Sequence, residues 1–257
     1  TRRSSDLPPP PIPILFHTLT TLLAIASTPT SLPQLQLSAL TALRVLIAHY
    51  LTPHASRGPS PLLATALPGT ASTLSRIALS VPQGSAPDQA RRQPSAAIVA
   101  ALDVLALVVV EAVGDDLTRE LRKGAERPAA TLEEVVEAWQ DDPAPGPEVE
   151  PTPAPPPTGP TLPTAAWLTH TLGNLSTLLS SLSALTAHES PVVRTALVSL
   201  HARLVTTCSS SLGSSAPLLD ALLVLSSDDW AAVSTPAHTS LLAALASPAH
   251  RTTASTL

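Results

Sequence analysis

Aromatic residues are nearly missing from this chain: three Trp, one Tyr and one Phe make up 2% of its 257 residues. Any core must therefore come from Leu, Ala and Val, and apolar types reach 44% of the composition. Small aliphatic side chains suit helix–helix packing, because they let helix axes approach closely. Met is absent, and Lys and Asn occur once each, at Lys123 and Asn174. With no Met and with Thr1 first, the chain reads as a fragment, its native amino terminus and any targeting signal expected elsewhere. Arg2-Arg3 followed by Ile14-Leu15-Phe16 and Ala24-Ile25-Ala26-Ser27 is a poor signal peptide, since prolines separate the charges from the apolar stretch and hydroxyls interrupt it. The single cysteine, Cys208, excludes an intrachain disulfide framework and favours a reducing compartment. A cytoplasmic location, with the nucleus second, is the expectation. Formal net charge is −5, and no basic stripe interleaved with aromatics occurs, so nucleic-acid binding has no electrostatic footing. The doublets Arg2-Arg3 and Arg91-Arg92 read as solvated loop charges.

The last quarter of the chain carries a repeat. His188-Glu189-Ser190-Pro191-Val192-Val193-Arg194 opens a run continuing through Leu197, Val198 and Leu200, and Asp228-Asp229-Trp230-Ala231-Ala232-Val233 opens another through Ala237 to Leu241, Leu242 and Leu245. Aligning Val193 with Val233 gives an offset of 40 residues, within the period of HEAT and armadillo helix pairs. Each run has a polar turn, a valine early in a helix, then apolar residues at helical spacing. Neither helix can bury its apolar face alone, so stacked neighbours must supply the missing surface. The expected fold is an all-α, HEAT/armadillo-like solenoid of stacked antiparallel helix pairs. Val193, Arg194, Asp228, Asp229 and Val233 are the stacking candidates, with Arg194 reaching Glu189, Asp228 or Asp229 in a neighbouring turn.

The same periodicity organises the rest. Ile12–Ser27 and Leu35–Leu51 form a first pair, with Leu37, Leu40, Leu43, Ile47 and Leu51 on one face of the second helix. A poorly defined helical region at Leu62–Leu79 is broken at Pro68-Gly69, and residues 81–94 form a loop. Ser95–Val113 is the most apolar helix, with Gly114 as a left-handed terminator. Asp115–Lys123 and Leu132–Gln140 are short amphipathic helices, the second opened by a Thr131/Glu134 capping box. Residues 141–163 form an acidic, Pro-rich linker with no apolar face to bury. Helices resume at Thr164–Ala187, Pro191–Cys208, Ser214–Leu225 and Trp230–Ala246. Three parts result: an amino-terminal helical segment (1–140), the linker (141–163) and a second repeat segment (164–257). A membrane span is not expected: Asp103 and Glu111 interrupt residues 96–113, and hydroxyls, His170 and Asn174 interrupt residues 164–187.

Chemistry-bearing residues are few. Gly114-Asp115-Asp116 is similar to the metal-binding turn of viral polymerases, but it follows a long helix, where acids opening the next helix are the plainer reading. His201 and Cys208, seven apart, share a helix face, yet a nucleophilic pair needs an activated thiolate and a third orienting group. The eight histidines are scattered without zinc spacing. No phosphate loop or nucleophile elbow is present. No catalytic, cofactor or metal residue is assigned, and a scaffold rather than an enzyme is expected. A helical enzyme using His201, Cys208 or Asp115/Asp116 stays the alternative from another class, and it requires a pocket uniting them.

The order of features also carries a resemblance. Ile98-Val99-Ala100-Ala101-Leu102-Asp103-Val104-Leu105 leads into Val108-Val109-Val110-Glu111-Ala112-Val113-Gly114-Asp115-Asp116. Then come the acidic Pro-rich insertion, Thr164-Ala165-Ala166-Trp167-Leu168, and the run from His188 to Arg194. Across roughly residues 95–250 this resembles the Tel-two-interacting protein one family, the large HEAT-repeat subunit of the TTT cochaperone complex, in a fungal form. The resemblance implies a non-catalytic scaffold binding Tel-two-type and second Tel-two-interacting subunits. It further implies a role in maturing phosphatidylinositol-3-kinase-related kinases with the heat-shock chaperone machinery. Another HEAT or armadillo scaffold, of transport-receptor or phosphatase type, is the alternative within the class.

Overall fold

In the described helices, proline stands in the first turn more often than in the interior. Pro33, Pro61 and Pro191 are the first residues of their helices, and Pro13 and Pro217 are second residues. There the missing N–H costs nothing and the fixed φ already suits the helix. A computed structural model describes residues 11–28, 32–52, 58–79, 94–125, 163–213 and 215–246. Among these residues every regular element is helical: α1 (Ile12–Ser27), α2 (Pro33–Leu46), α3 (Pro61–Leu79), α4 (Ser95–Val113), α5 (Asp115–Ala125), α6 (Ala165–Leu182), α7 (Pro191–Thr207), α8 (Ala216–Ser226) and α9 (Ala231–Ala246). The loop 81–93, the helix and capping box at 131–140, and all of the 141–163 linker but Pro163 lie outside the described residues.

The helices form two layers. In one, α1, α3, α6 and α8 pack in succession; in the other, α2, α4, α7 and α9 do. The layers meet through the pairs α1/α2, α3/α4 and α8/α9, with a short 3-10 turn, Ser183–Ala187, joining α6 to α7. This is an all-α helical repeat of stacked antiparallel pairs. The segments on either side of the linker share one core cluster, running from Leu15 to Ala244. Helix α4 is its middle: it packs on α2, α3 and α7. Ala97, Ala101, Leu102, Val108, Ala112 and Val113 in it are fully buried. The stretch 95–123 is the one apolar helical run among the described residues long enough to cross a membrane, and most of α4 is covered by its neighbours.

Three local expectations are corrected. Residues 61–79 make one continuous helix through Pro68-Gly69. Both breakers sit on the exposed side, while Leu63, Leu67, Ala71 and Leu74 bury the opposite face, so packing overrides propensity. Gly114 is not left-handed: at φ −54, ψ 146 it is extended. Its role is steric, since a Cβ there would lie 2.7 Å from the Val110 carbonyl oxygen. The Gly114 N–H donates to that oxygen at 2.9 Å, and its own carbonyl accepts from Leu117 and Thr118, so a single residue ends α4 and starts α5. The helix expected to reach Leu51 instead widens after Leu46 into a π-turn over Ile47–Leu51. It closes when Thr52 donates to the Ile47 carbonyl from both its N–H (3.2 Å) and its hydroxyl (3.0 Å).

Hydroxyl-rich helices with few charges are tolerated because the hydroxyls satisfy themselves. Thr18, Thr41, Thr65, Thr169 and Ser199 each donate to the carbonyl four residues back. Pro68 has no compensating role, being exposed and in a helix interior. Pro68→Ala is expected to raise stability by roughly 1–3 kcal/mol in urea unfolding, by restoring a helical hydrogen bond and removing the ring clash. A destabilised variant would mean that the proline shapes the stack.

Candidate functional site

Polar side chains in this core act as joints between helix pairs. Arg194 lies in the first turn of α7, between buried Val193 and the α8–α9 turn. Its Nε donates to Asp228 Oδ2 at 2.6 Å and an Nη to Asp228 Oδ1 at 3.1 Å, a two-point fork. Its other Nη donates to the carbonyls of His188 (2.6 Å) and Glu189 (3.4 Å). Asp228 Oδ1 also accepts the Trp230 N–H at 2.9 Å, fixing the start of α9. The hydrogen bond to Arg194, helped by that N–H, holds the Asp228 carboxyl below its ordinary 3.8, and the Asp228 bond in turn raises Arg194. Asp229 touches Arg194 only through its charge. Val233 is fully buried at the start of α9, as Val193 is in α7.

A second joint ties α5 to the turn after α7. Asp115, the first residue of α5, accepts from Ser209 Oγ (2.8 Å), Ser210 N (2.9 Å), Ser210 Oγ (3.2 Å) and Ser211 Oγ (3.1 Å). Arg122 approaches the same carboxylate at 3.1 Å. Burial works to raise the Asp115 pKa, but these donors and the Arg122 charge outweigh it and hold it below 3.8. Asp116 points the other way: 92% exposed, it pairs with Arg119 at 2.7 Å. The two acids therefore do not converge on a common point. Nothing in the local sequence marked Asp115 as the partner of serines some 95 positions away; the serine run just after an apolar helix was the available signal.

A third joint crosses the α2/α4/α7 layer. Asp103 on α4 lies 3.4 Å from Arg44 on α2 and 3.3 Å from Arg203 on α7. All three side chains are 42–62% solvated, so this ladder contributes little to stability.

His201 on α7 and Cys208, the residue just past its end, are both fully buried. Burial pushes the Cys208 thiol up to about 11, which leaves roughly one molecule in ten thousand as thiolate at neutral pH. Burial pushes the His201 imidazole down to about 4, and neither ring nitrogen has a hydrogen-bond partner among the described residues. An unactivated thiol and an unpaired neutral imidazole make no nucleophile–base dyad. A small void between α4, α6 and α7 is lined by Leu105, Leu175, Leu200, Leu204 and other aliphatic side chains, with no polar group to orient a substrate. Among the described residues no three His, Cys, Asp or Glu side chains gather as a metal site.

The arrangement thus offers surfaces and joints, and a comparison with known families fits that character. The family model described as the TTI1 N-terminal TPR domain matches residues 5–229. The chain belongs to this family. TTI1-type proteins are TTT-complex scaffolds, a non-catalytic class working through protein–protein contacts. The match extends the resemblance read from the sequence, which began near residue 95, back to α1, and it stops at the turn before α9. The description names TPR repeats where HEAT or armadillo pairs were the sequence expectation; each is a stack of antiparallel helix pairs. No curated protein and no solved structure matches the chain.

His201 generates a pH prediction for this TTI1-type stack. Its folded pKa, about 4, lies below the 6.5 of an unfolded histidine, so the folded state prefers the neutral ring. That preference is fully present above pH 6.5 and is lost as pH falls towards 4, a change of roughly 3 kcal/mol by proton linkage. Asp115 and Asp228, with lowered pKa values, withdraw their contributions only below about 3.8, so the window between belongs to His201. Urea unfolding between pH 7 and 4.5 should show falling stability, and His201→Leu should flatten that slope. A variant with an unchanged slope would remove His201 as its source.

Proposed function

We propose that this chain is a non-catalytic scaffold module of a TTT-type cochaperone complex. Its partners are Tel-two-type and second Tel-two-interacting subunits, together with phosphatidylinositol-3-kinase-related kinases delivered with the heat-shock chaperone machinery. The observation that carries this reading is the family match over residues 5–229. Two properties of the stack support it. The helices supply a long exposed surface whose side chains can specify partners, as in other repeat architectures. The residues on which an enzymatic reading depended are spent on structure: Asp115 ties α5 to the Ser209–Ser211 turn, and Cys208 is a buried, fully protonated thiol. Val193, Arg194, Asp228, Asp229 and Val233 belong in this reading to the stacking interface of the last helix pair, not to a ligand site. In this reading the protein works in the cytoplasm, with the nucleus second.

The test is affinity purification of the full-length protein from its native cells at moderate salt, with partners identified by mass spectrometry. Recovery of Tel-two-type subunits in stoichiometric amount, with a giant kinase or a chaperone, is the expected result. Stoichiometric partners of an unrelated kind would keep a scaffold and sink the TTT assignment.

A further inference from the structure

Two stripes of α7 face different neighbours. Leu200 and Leu204 line the small void with Leu105 and Val109 of α4 and Leu175 of α6. Arg194, Val198, His201 and Val205 recur at i, i+4, i+7 and i+11, a second stripe, and Arg194 on it reaches Asp228 in the α8–α9 turn. That stripe therefore faces the last helix pair. The 40-residue repeat places it there independently, because Val198, His201 and Val205 correspond to His238, Leu241 and Leu245 of α9. The three on α7 are buried, whereas His238 and Leu245 are exposed and Leu241 is half-buried. What separates the two sets is α9 itself, which packs over α7.

A histidine in this stripe is a polar group with nothing to answer it. His201 is fully buried, neither ring nitrogen has a hydrogen-bond partner among the described residues, and burial alone shifts its titration. The charged and titratable groups on the elements around it are engaged or solvated. On α4, Asp103 is shared by Arg44 and by Arg203 of α7, and Glu111 is half-buried. On α8 and α9, Asp220 and His238 are exposed. Between them Asp228 holds Arg194, and Asp229 acts on Arg194 through its charge. Ahead of α7, His188 accepts the Ser190 N–H and Glu189 is exposed; just past it, Cys208 is a protonated thiol and Asp115 pairs with Arg122. On α6, His170 is exposed and bonded to Asn174. A proton on His201 thus meets no anion while the last pair is docked, and a buried unpaired charge is relieved by letting water in. The covering helix is lightly held: α9 buries Val233, Ala237 and Ala244 of its 16 residues and carries Pro236 in its interior, where a helical hydrogen bond is lost.

We propose that the docking of α8–α9 on α7 is an acid-sensitive latch: proton uptake at His201 releases the last helix pair while α1 to α7 stay stacked. Release bares Val198 and Val205, so the scaffold presents one surface at neutral pH and another in acid. The ring titrates at about 4 when docked and near 6.5 when released, so acid favours release. Between pH 7 and 5 the opening equilibrium rises roughly 20-fold by proton linkage. Asp228, its carboxyl held below 3.8, stays ionised through that range, so the Arg194 fork is not what fails. The inference goes beyond the scaffold reading and does not depend on which partners the scaffold holds.

Amide hydrogen exchange of the full chain, read by mass spectrometry from pH 7 to 5 and corrected for intrinsic exchange rates, tests the latch. Trp230, at the exposed corner where α9 begins, offers too little fluorescence contrast to serve instead. Protection over α8 and α9 should fall roughly 20-fold while protection over α3 and α4 stays level. His201→Leu, matching Leu241 at the equivalent position, should abolish that fall. His201→Gln, polar but without a titrating ring, should abolish it too, and it guards against a leucine that repacks the stripe. His238→Gln, on the exposed side of α9, should leave the fall in place. Equal loss of protection over α4 and α9 would show the stack melting as one unit and overturns the latch. Unchanged protection over α8 and α9, or a fall that persists in both His201 variants, overturns it as well.

Discussion

Helix α4 can be stable only as the middle of a stack. Of its 19 residues, only Asp103 and Glu111 are charged, and its buried residues point towards three other helices at once. An isolated pair would leave at least one of those faces in water, at about 25 cal/mol for each Å² of apolar surface. The architecture follows from satisfying that helix: α3 covers it within its own pair, α2 covers one flank in its layer, and α7 covers the other. Because α7 arrives from beyond residues 141–163, the core is closed by a contact distant in the chain. The polar joints are placed accordingly. Asp103 sits between Arg44 and Arg203, and Asp115 holds the serine turn after α7, so both lie where α4 and its continuation meet the second segment.

The joints also explain why candidate catalytic residues prove structural. A carboxylate with four hydrogen-bond donors and an arginine, as Asp115 has, is fully committed. A thiol and an imidazole inside an aliphatic core are deactivated by the same burial that helps to pack α7. A TTI1-type scaffold asks for rigid presentation of surfaces, and two-point ion pairs such as Arg194–Asp228 supply directional rigidity that leucine packing alone does not.

Much of this fold was legible in the sequence. Ile12–Ser27 and Ser95–Val113 were bounded to the residue, because proline or glycine punctuates a strong apolar period at both ends. Where reading failed, tertiary packing overrode local chemistry. Pro68-Gly69 looked like a break, but both fall on the exposed side of a helix whose other face is buried. Gly114 looked like a left-handed cap, yet what it supplies is room beside the Val110 carbonyl. The Arg194–Asp228 geometry could be listed only among options, since Glu189, Asp228 and Asp229 have equal claims until the α8–α9 turn is placed in space. The Asp115–serine joint was not legible at all, because its partners are distant in sequence and of the commonest polar type. The exposed corner at Trp230 was equally hidden, since period alone cannot tell a tryptophan in the core from one on the rim.

The most direct test of α4 as the shared spine is equilibrium unfolding of Leu102→Ala in a Trp139→Phe background. Fluorescence then reports on Trp167 and Trp230, both beyond the linker, and far-ultraviolet circular dichroism reports on all helices. Leu102 is fully buried, so its truncation should cost about 2–5 kcal/mol. If the two segments form one core, both signals move together to lower urea by the same amount. A fluorescence transition that stays in place while part of the dichroism shifts would show two independent units and contradict the account.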